Sequence, residues 1–189
     1  MSHRRSPASA GPPERTDIPA DVLRRLDELG GGPAPLYRAL SHNPPMLHAW
    51  IEFAYSLRAD ASTPRRIREL MILRSAQVME ARYQWCDHVV MGKQAGVRDE
   101  QISNLLRWEE SPDFSSAERA AIRFAEAVLD DDVTDNVWAD LRANFDDAAC
   151  IELAVTAGFY SMVPRMLHAL RLEPDSRCDT RGASDVRET

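Results

Sequence analysis

TPRRIRELMILRSAQVMEARYQWCDHVVMGKQAG, residues 63–96, is the stretch from which the fold is read. It divides into two helical runs with a short break near Ala81. Thr63 followed by Pro64 is a start signal, a hydroxyl cap before a proline at the first helical position. The first run extends to about Met79. The second runs from about Tyr83 to Ala95, where Gly96 is a natural stop. On the first helix Glu69 has Ile72, Leu73 and Ala76 on its own face, at +3, +4 and +7, and Arg65 one turn back. On the second, His88 shares a largely apolar face with Gln84, Trp85, Met91 and Ala95.

The same periodicity continues in both directions. Val22, Leu23, Leu26 and Leu29 form a stripe opened by Asp17-Ile18-Pro19 and closed by Gly30-Gly31-Gly32. Leu36 to Leu40 is a short helical piece. Pro44-Pro45 starts a helix to about Leu57, with Leu47, Trp50, Ile51 and Ala54 on one side. Val97 to Leu106 begins another short helix. Ser115-Ser116-Ala117-Glu118 is a capping box ahead of an apolar run to Leu129. Thr134 caps a helix to about Phe145. Asp146 or Asp147 caps the last long helix, which Pro164 is expected to kink or restart before Met166 to Leu170. No stretch alternates as a strand does. The expectation is an all-α bundle of about eight helices spanning residues 18–173, between disordered tails at 1–17 and 174–189.

Composition narrows the partners. Apolar residues make up 44% of the chain and charged residues 28%, the balance of a soluble globular protein. A net charge of -7 opposes binding to a phosphate backbone, so no nucleic acid partner is expected. No apolar run approaches the ~20 residues that cross a bilayer, so no membrane partner is expected. The basic, Pro-rich start has no apolar segment of the secretory kind. Cys86, Cys150 and Cys178 are scattered without a C-x-x-C, which points to a cytoplasmic chain with no disulfide framework.

Glu69 and His88 are the best candidates for chemistry. A carboxyl among apolar neighbours is expected to hold its proton more tightly than in water, and an imidazole titrates near neutrality. The plainer readings are a Glu paired with Arg65 or Arg66 and a satisfied core histidine. Cys86 is two positions before His88, about 160° around the helix, and reads as a small packing residue. His42, His48, His88 and His168 are spread without ligand spacing, so no metal site is expected. Nucleotide-binding and nucleophile-elbow motifs are absent.

Arg68-Glu69-Leu70-Met71-Ile72-Leu73-Arg74, then Tyr83-Gln84-Trp85 with His88, then Ala95-Gly96, resemble the carboxymuconolactone decarboxylase family of the AhpD-like superfamily. The likeness is strong over about Arg65 to Ile102. It is weaker but consistent over Ala148 to Leu170, where Tyr160-Ser161-Met162-Val163 suits the family's last core helix. It implies an AhpD-like helical bundle that assembles as a homo-oligomer, a trimer or hexamer. The AhpD branch carries a redox C-x-x-C before the histidine. Those positions here are Ala81 and Gln84, so the dithiol is missing while the glutamate and histidine remain.

What the resemblance then implies is a cofactor-free lyase of aromatic compound catabolism, acting on a small cyclic, carboxylated, lactone-like molecule. Glu69 and His88 would be its acid–base pair, with Tyr83, Trp85 and Arg74 as substrate contacts. Arg165 is a further candidate for the substrate carboxylate. Two alternatives stay open: an AhpD-like peroxidase working through Cys86 alone, and a non-catalytic helical oligomer that binds a small ligand.

Overall fold

Consecutive residues Met71, Ile72 and Leu73 enter three different hydrophobic clusters. Side chains on a helix leave about 100° apart, so three neighbours can point three ways only if the helix is surrounded. Theirs is α4 (Arg65–Val78), the axis of the molecule, with ten buried residues. A helix buried all round has lost the polar face of a surface helix.

The computed structural model describes residues 18–28 and 34–173. Expectations for the two tails, the Gly30–Gly32 stop and Cys178 lie outside them. Among the described residues the fold is all-helical, with nine α-helices rather than about eight. Before α4 come α1 (Ala20–Glu28), α2 (Pro35–Leu40) and α3 (Pro44–Tyr55). After it come α5 (Arg82–Gln94), α6 (Asp99–Asn104), α7 (Ser116–Leu129), α8 (Asp135–Asn144) and α9 (Asp147–Leu170).

α4 packs on α5, α7 and α9. Ile72 joins residues of α1, α2, α3 and the second half of α9. Leu70, Leu73 and Ala76 face Trp85, Trp108 and Ile122. Ile67 and Met71 face Phe124, Leu141 and Leu153. Each wholly buried leucine among these contributes roughly 2 kcal/mol.

Local signals hold where their partners are local. Ser115 and Glu118 close their capping box reciprocally, with backbone-to-side-chain bonds of 3.3 and 2.8 Å. The Thr134 hydroxyl accepts from Val137 N, and the Asp146 carboxylate from Ala149 N. Between α4 and α5 the chain reverses through Glu80, which takes a left-handed conformation at φ 53°. Gly96, at φ 91°, ends α5 as its type predicts.

Three expectations are corrected. The cap of α4 is Pro64, with no side-chain bond. Thr63 lies one residue too early, because Pro64 is itself still non-helical, at ψ 124°, and the helix begins only at Arg65. The Thr63 amide and that of Ser62 instead donate to the Glu152 carboxylate, at 2.8 Å each. Pro164 does not restart α9, which runs on to Leu170 with Pro164 inside it. The missing amide leaves the Tyr160 carbonyl without its helical partner, while burial of Val163, Pro164 and Leu167 keeps the segment seated. Finally, α3 does not continue as an α-helix to about Leu57 but ends at Tyr55 and passes into a π-helical turn, Ser56–Asp60.

Candidate active site

Glu69 comes from the middle of α4 and His88 from the facing turn of α5. The Glu69 Oε2 lies 2.7 Å from His88 Nδ1, with Glu69 2% exposed and His88 4%. Arg65, one turn back on α4, donates from Nε to the other carboxylate oxygen at 3.1 Å. Burial works to raise the Glu69 carboxyl, but the adjacent His88 and Arg65 outweigh it and hold the group below its ordinary range. Glu69 is therefore an anion and can only accept. This corrects the expectation of a tightly held proton: the apolar neighbours are there, but the two basic ones decide. It also places the Arg65 pairing and the His88 pairing on one carboxylate.

Because Glu69 accepts, the His88 Nδ1 carries a hydrogen and donates it. The other ring nitrogen, Nε2, is left for a cavity of about 310 Å³ that His88 helps to line. Glu69 is not among the cavity's lining residues; it stands behind the imidazole. The walls are mostly apolar and aromatic, including Trp50, Ala54, Phe159 and Val163. Phe159 packs against Trp50 and Tyr160, and Tyr160 meets the His88 ring edge-on at 5.0 Å between centroids. Burial raises the Tyr160 phenol, so it stays a hydroxyl. That hydroxyl is buried beside the Arg58 guanidinium.

The structure separates the other residues named from sequence. Tyr83 lines the cavity, and its hydroxyl lies 3.5 Å from the Leu36 amide, tying α2 to α5. Trp85 does not line it; it is buried against Leu70, Leu73 and Trp108 on the other side of α5. Arg74 does not line it either. It pairs with Glu126 of α7 and donates to Gln77 at 3.2 Å, while Trp108 Nε1 reaches the same Glu126. The reason is angular: five residues beyond Glu69 is about 140° around the helix. Arg165 bonds the Ser161 carbonyl on the exposed side of α9. Cys86 lies outside the cavity lining and, contrary to the reading of a packing thiol, is disulfide-bonded. Cys150 is a buried free cysteine in the α4–α7–α9 cluster.

The cation that does line the cavity is Arg58, which sequence reasoning missed. It sits in the π-helical turn, over the Tyr55 ring at 5.2 Å. It forms no ion pair among the described residues, and its Nε is buried without a hydrogen bond. Burial works against its charge, but Tyr160 and Tyr37 more than offset this and keep it firmly protonated. The turn is held from outside by Arg68, whose guanidinium bonds the Leu57 carbonyl and reaches that of Arg58. A signal existed: Arg58 continues the stripe Leu47, Trp50, Ile51, Ala54 by one more step of four, a charge where the pattern calls for an apolar residue.

No group of histidine, cysteine and carboxylate side chains suited to a metal ion occurs among the described residues. No helix there is long and apolar enough to cross a membrane.

An axial buried helix, with an ionised carboxylate behind an imidazole that faces an aromatic cavity, defines a helical protein of the AhpD-like fold. Residues 44–127 match the model of the carboxymuconolactone decarboxylase family. Solved structures agree on the fold. The debrominase Bmp8, as a cysteine-to-alanine variant in complex with 2,3,4-tribromopyrrole, is 20% identical with a TM-score of 0.76, over 89% of this chain and 92% of that one. An uncharacterized peroxidase-related protein from Silicibacter sp. is 18% identical with a TM-score of 0.76, over 93% and 96%. Another from Ralstonia eutropha, described as an alkylhydroperoxidase AhpD core, is 18% identical with a TM-score of 0.72, over 92% and 98%. No curated protein matches the chain.

Proposed function

We propose that this protein is a cofactor-free lyase that removes carbon dioxide from a small cyclic, carboxylated compound, with His88 as the proton carrier. The observation that carries the reading is the 2.7 Å Glu69–His88 bond behind an aromatic cavity. As the carboxylate leaves, its bonding electron pair moves through the adjacent carbon onto the substrate's carbonyl oxygen, giving an enolate. A proton on His88 Nε2 then passes to carbon, and solvent restores it. Glu69 touches no substrate; it orients the ring and stabilises its charged form, so it is a positioning residue. The Tyr160 hydroxyl is the donor for the enolate oxygen, where preorganised donors have their largest effect. Arg58 holds an acid group that the substrate retains.

A cavity of this size suits one small ring. Bmp8, of the same fold, is a protein seen with a flat five-membered ring. Against the peroxidase alternative, positions 81 and 84 carry Ala and Gln in place of the AhpD dithiol, and Cys86 lies outside the cavity lining.

The test is carbon dioxide release from a panel of carboxylated lactones, with hydroperoxides assayed in parallel. The expected result is turnover of a lactone acid, lost by ~10²–10⁴-fold in His88→Ala with the helical CD spectrum unchanged. Arg58→Leu is expected to raise KM more than it lowers kcat. Peroxide consumption without carbon dioxide release, or full activity in His88→Ala, would sink the reading.

A further inference from the structure

Gln84 occupies a position where the AhpD branch has a thiol, one helical turn before His88 on the same face of α5. It is 2% exposed and lines the cavity. Its Nε2 donates to the Ile72 carbonyl of α4 at 3.0 Å. A carbonyl can only accept, so this bond fixes which way the amide is turned. The Oε1 that remains is buried and has no partner within the protein. A buried acceptor in that condition is costly to leave unmet, and here it stands beside the imidazole in the wall of the cavity.

We propose that Gln84 is a specificity residue: its Oε1 receives a hydrogen-bond donor carried by the substrate ring, so the ligand is a hydroxylated ring acid, phenolic or enolic, rather than a bare lactone acid. Asp87 also lines the cavity; Arg58, Tyr160, Gln84 and His88 are the polar groups there that fit that molecule. Arg58 and the Tyr160 hydroxyl donate toward its anionic end. Gln84 accepts from its hydroxyl, one turn from the Nε2 that exchanges the proton. The aromatic walls of Trp50 and Phe159 take the ring. An analogue without the hydroxyl leaves Oε1 unpaired inside the complex, and sites of this kind discriminate strongly against such analogues. The inference rests on the reading of this cavity as the substrate site.

The experiment is calorimetric titration of the full chain with benzoate and with 2-, 3- and 4-hydroxybenzoate. The expected result is that at least one hydroxybenzoate binds about tenfold or more tighter than benzoate. In Gln84→Met that ratio falls to about one while benzoate affinity is retained. Equal binding of benzoate and all three isomers, a preference that survives in Gln84→Met, or no binding of any of them overturns the proposal. Where Gln84→Met does not fold by CD, the wild-type ratio decides alone. Binding is read without turnover, so the two ideas fail separately. A chain that prefers the hydroxy acid but releases no carbon dioxide keeps this inference and loses the lyase. One that decarboxylates lactone acids and ignores the ring hydroxyl does the reverse.

Discussion

His88 has two ring nitrogens with different surroundings, and the site's chemistry follows from that difference. One is bonded to a buried carboxylate; the other faces the cavity. Glu69→Gln keeps the shape but removes the charge and lets the amide present either a donor or an acceptor. We expect kcat to fall ~10²–10⁴-fold with KM little changed, measured by steady-state kinetics on whichever panel member turns over. A loss confined to KM would mean that Glu69 shapes the cavity without acting through the imidazole. At this scale the sequence was legible in part. Glu69 and His88 were readable because each stands out on an apolar face and their helices are consecutive. The protonation of Glu69 was not readable, because it depends on the balance between burial and two basic neighbours. Arg74 was misassigned because its true partner, Glu126, lies 52 positions away on another helix.

Among the elements, the π-helical turn Ser56–Asp60 and the link to α4 form the wall that carries Arg58. Two side chains from neighbouring helices hold it: Arg68 of α4 on the turn's carbonyls, and Glu152 of α9 on the amides of Ser62 and Thr63. Burial acts to raise the Glu152 carboxyl, but the bonds from Ser62 and Thr63 bring it down to about 2. A carboxyl lowered on folding contributes stability that is fully present above its unfolded value of ~4.3 and is lost as pH falls toward 2. Glu152→Gln is therefore expected to destabilise the fold by ~1–2 kcal/mol at neutral pH, and by progressively less below pH 4. Denaturant titrations at both pH values check this; an effect of equal size at pH 7 and pH 3 would show that the contact does not depend on the charge. The caps at Ser115, Thr134 and Asp146 were legible because both partners lie within one turn. The π-helical turn was not, because it forms where distant groups grip the backbone.

For the whole molecule, the resemblance that predicted the fold also implies a homo-oligomer, and we propose that copies of this chain meet along α9. Ile151, Val155 and Met162 lie on one side of that helix and are 63%, 38% and 44% exposed, an apolar stripe on a helix whose other side is core. Sedimentation velocity is expected to give a trimer or hexamer, and the paired change Ile151→Glu with Val155→Glu to give monomers that keep their helical CD. A monomeric wild-type chain would remove the proposal and leave the cavity, built from one chain, as it stands. The all-α class and the pairing of residues 63–96 were legible because the periodicity is helical throughout. That α4 is the buried axis was less so: its apolar residues surround it, and only the packed structure shows which cluster each one enters.

The most direct test of the central claim is the tautomer of His88. Long-range ¹H–¹⁵N correlation spectra recorded where the ring is neutral report which nitrogen carries the hydrogen. The expected result is a hydrogen on Nδ1 and a free lone pair on Nε2, with the Nε2–H form rising in Glu69→Gln. A wild-type spectrum with the hydrogen on Nε2 and none on Nδ1 would contradict it.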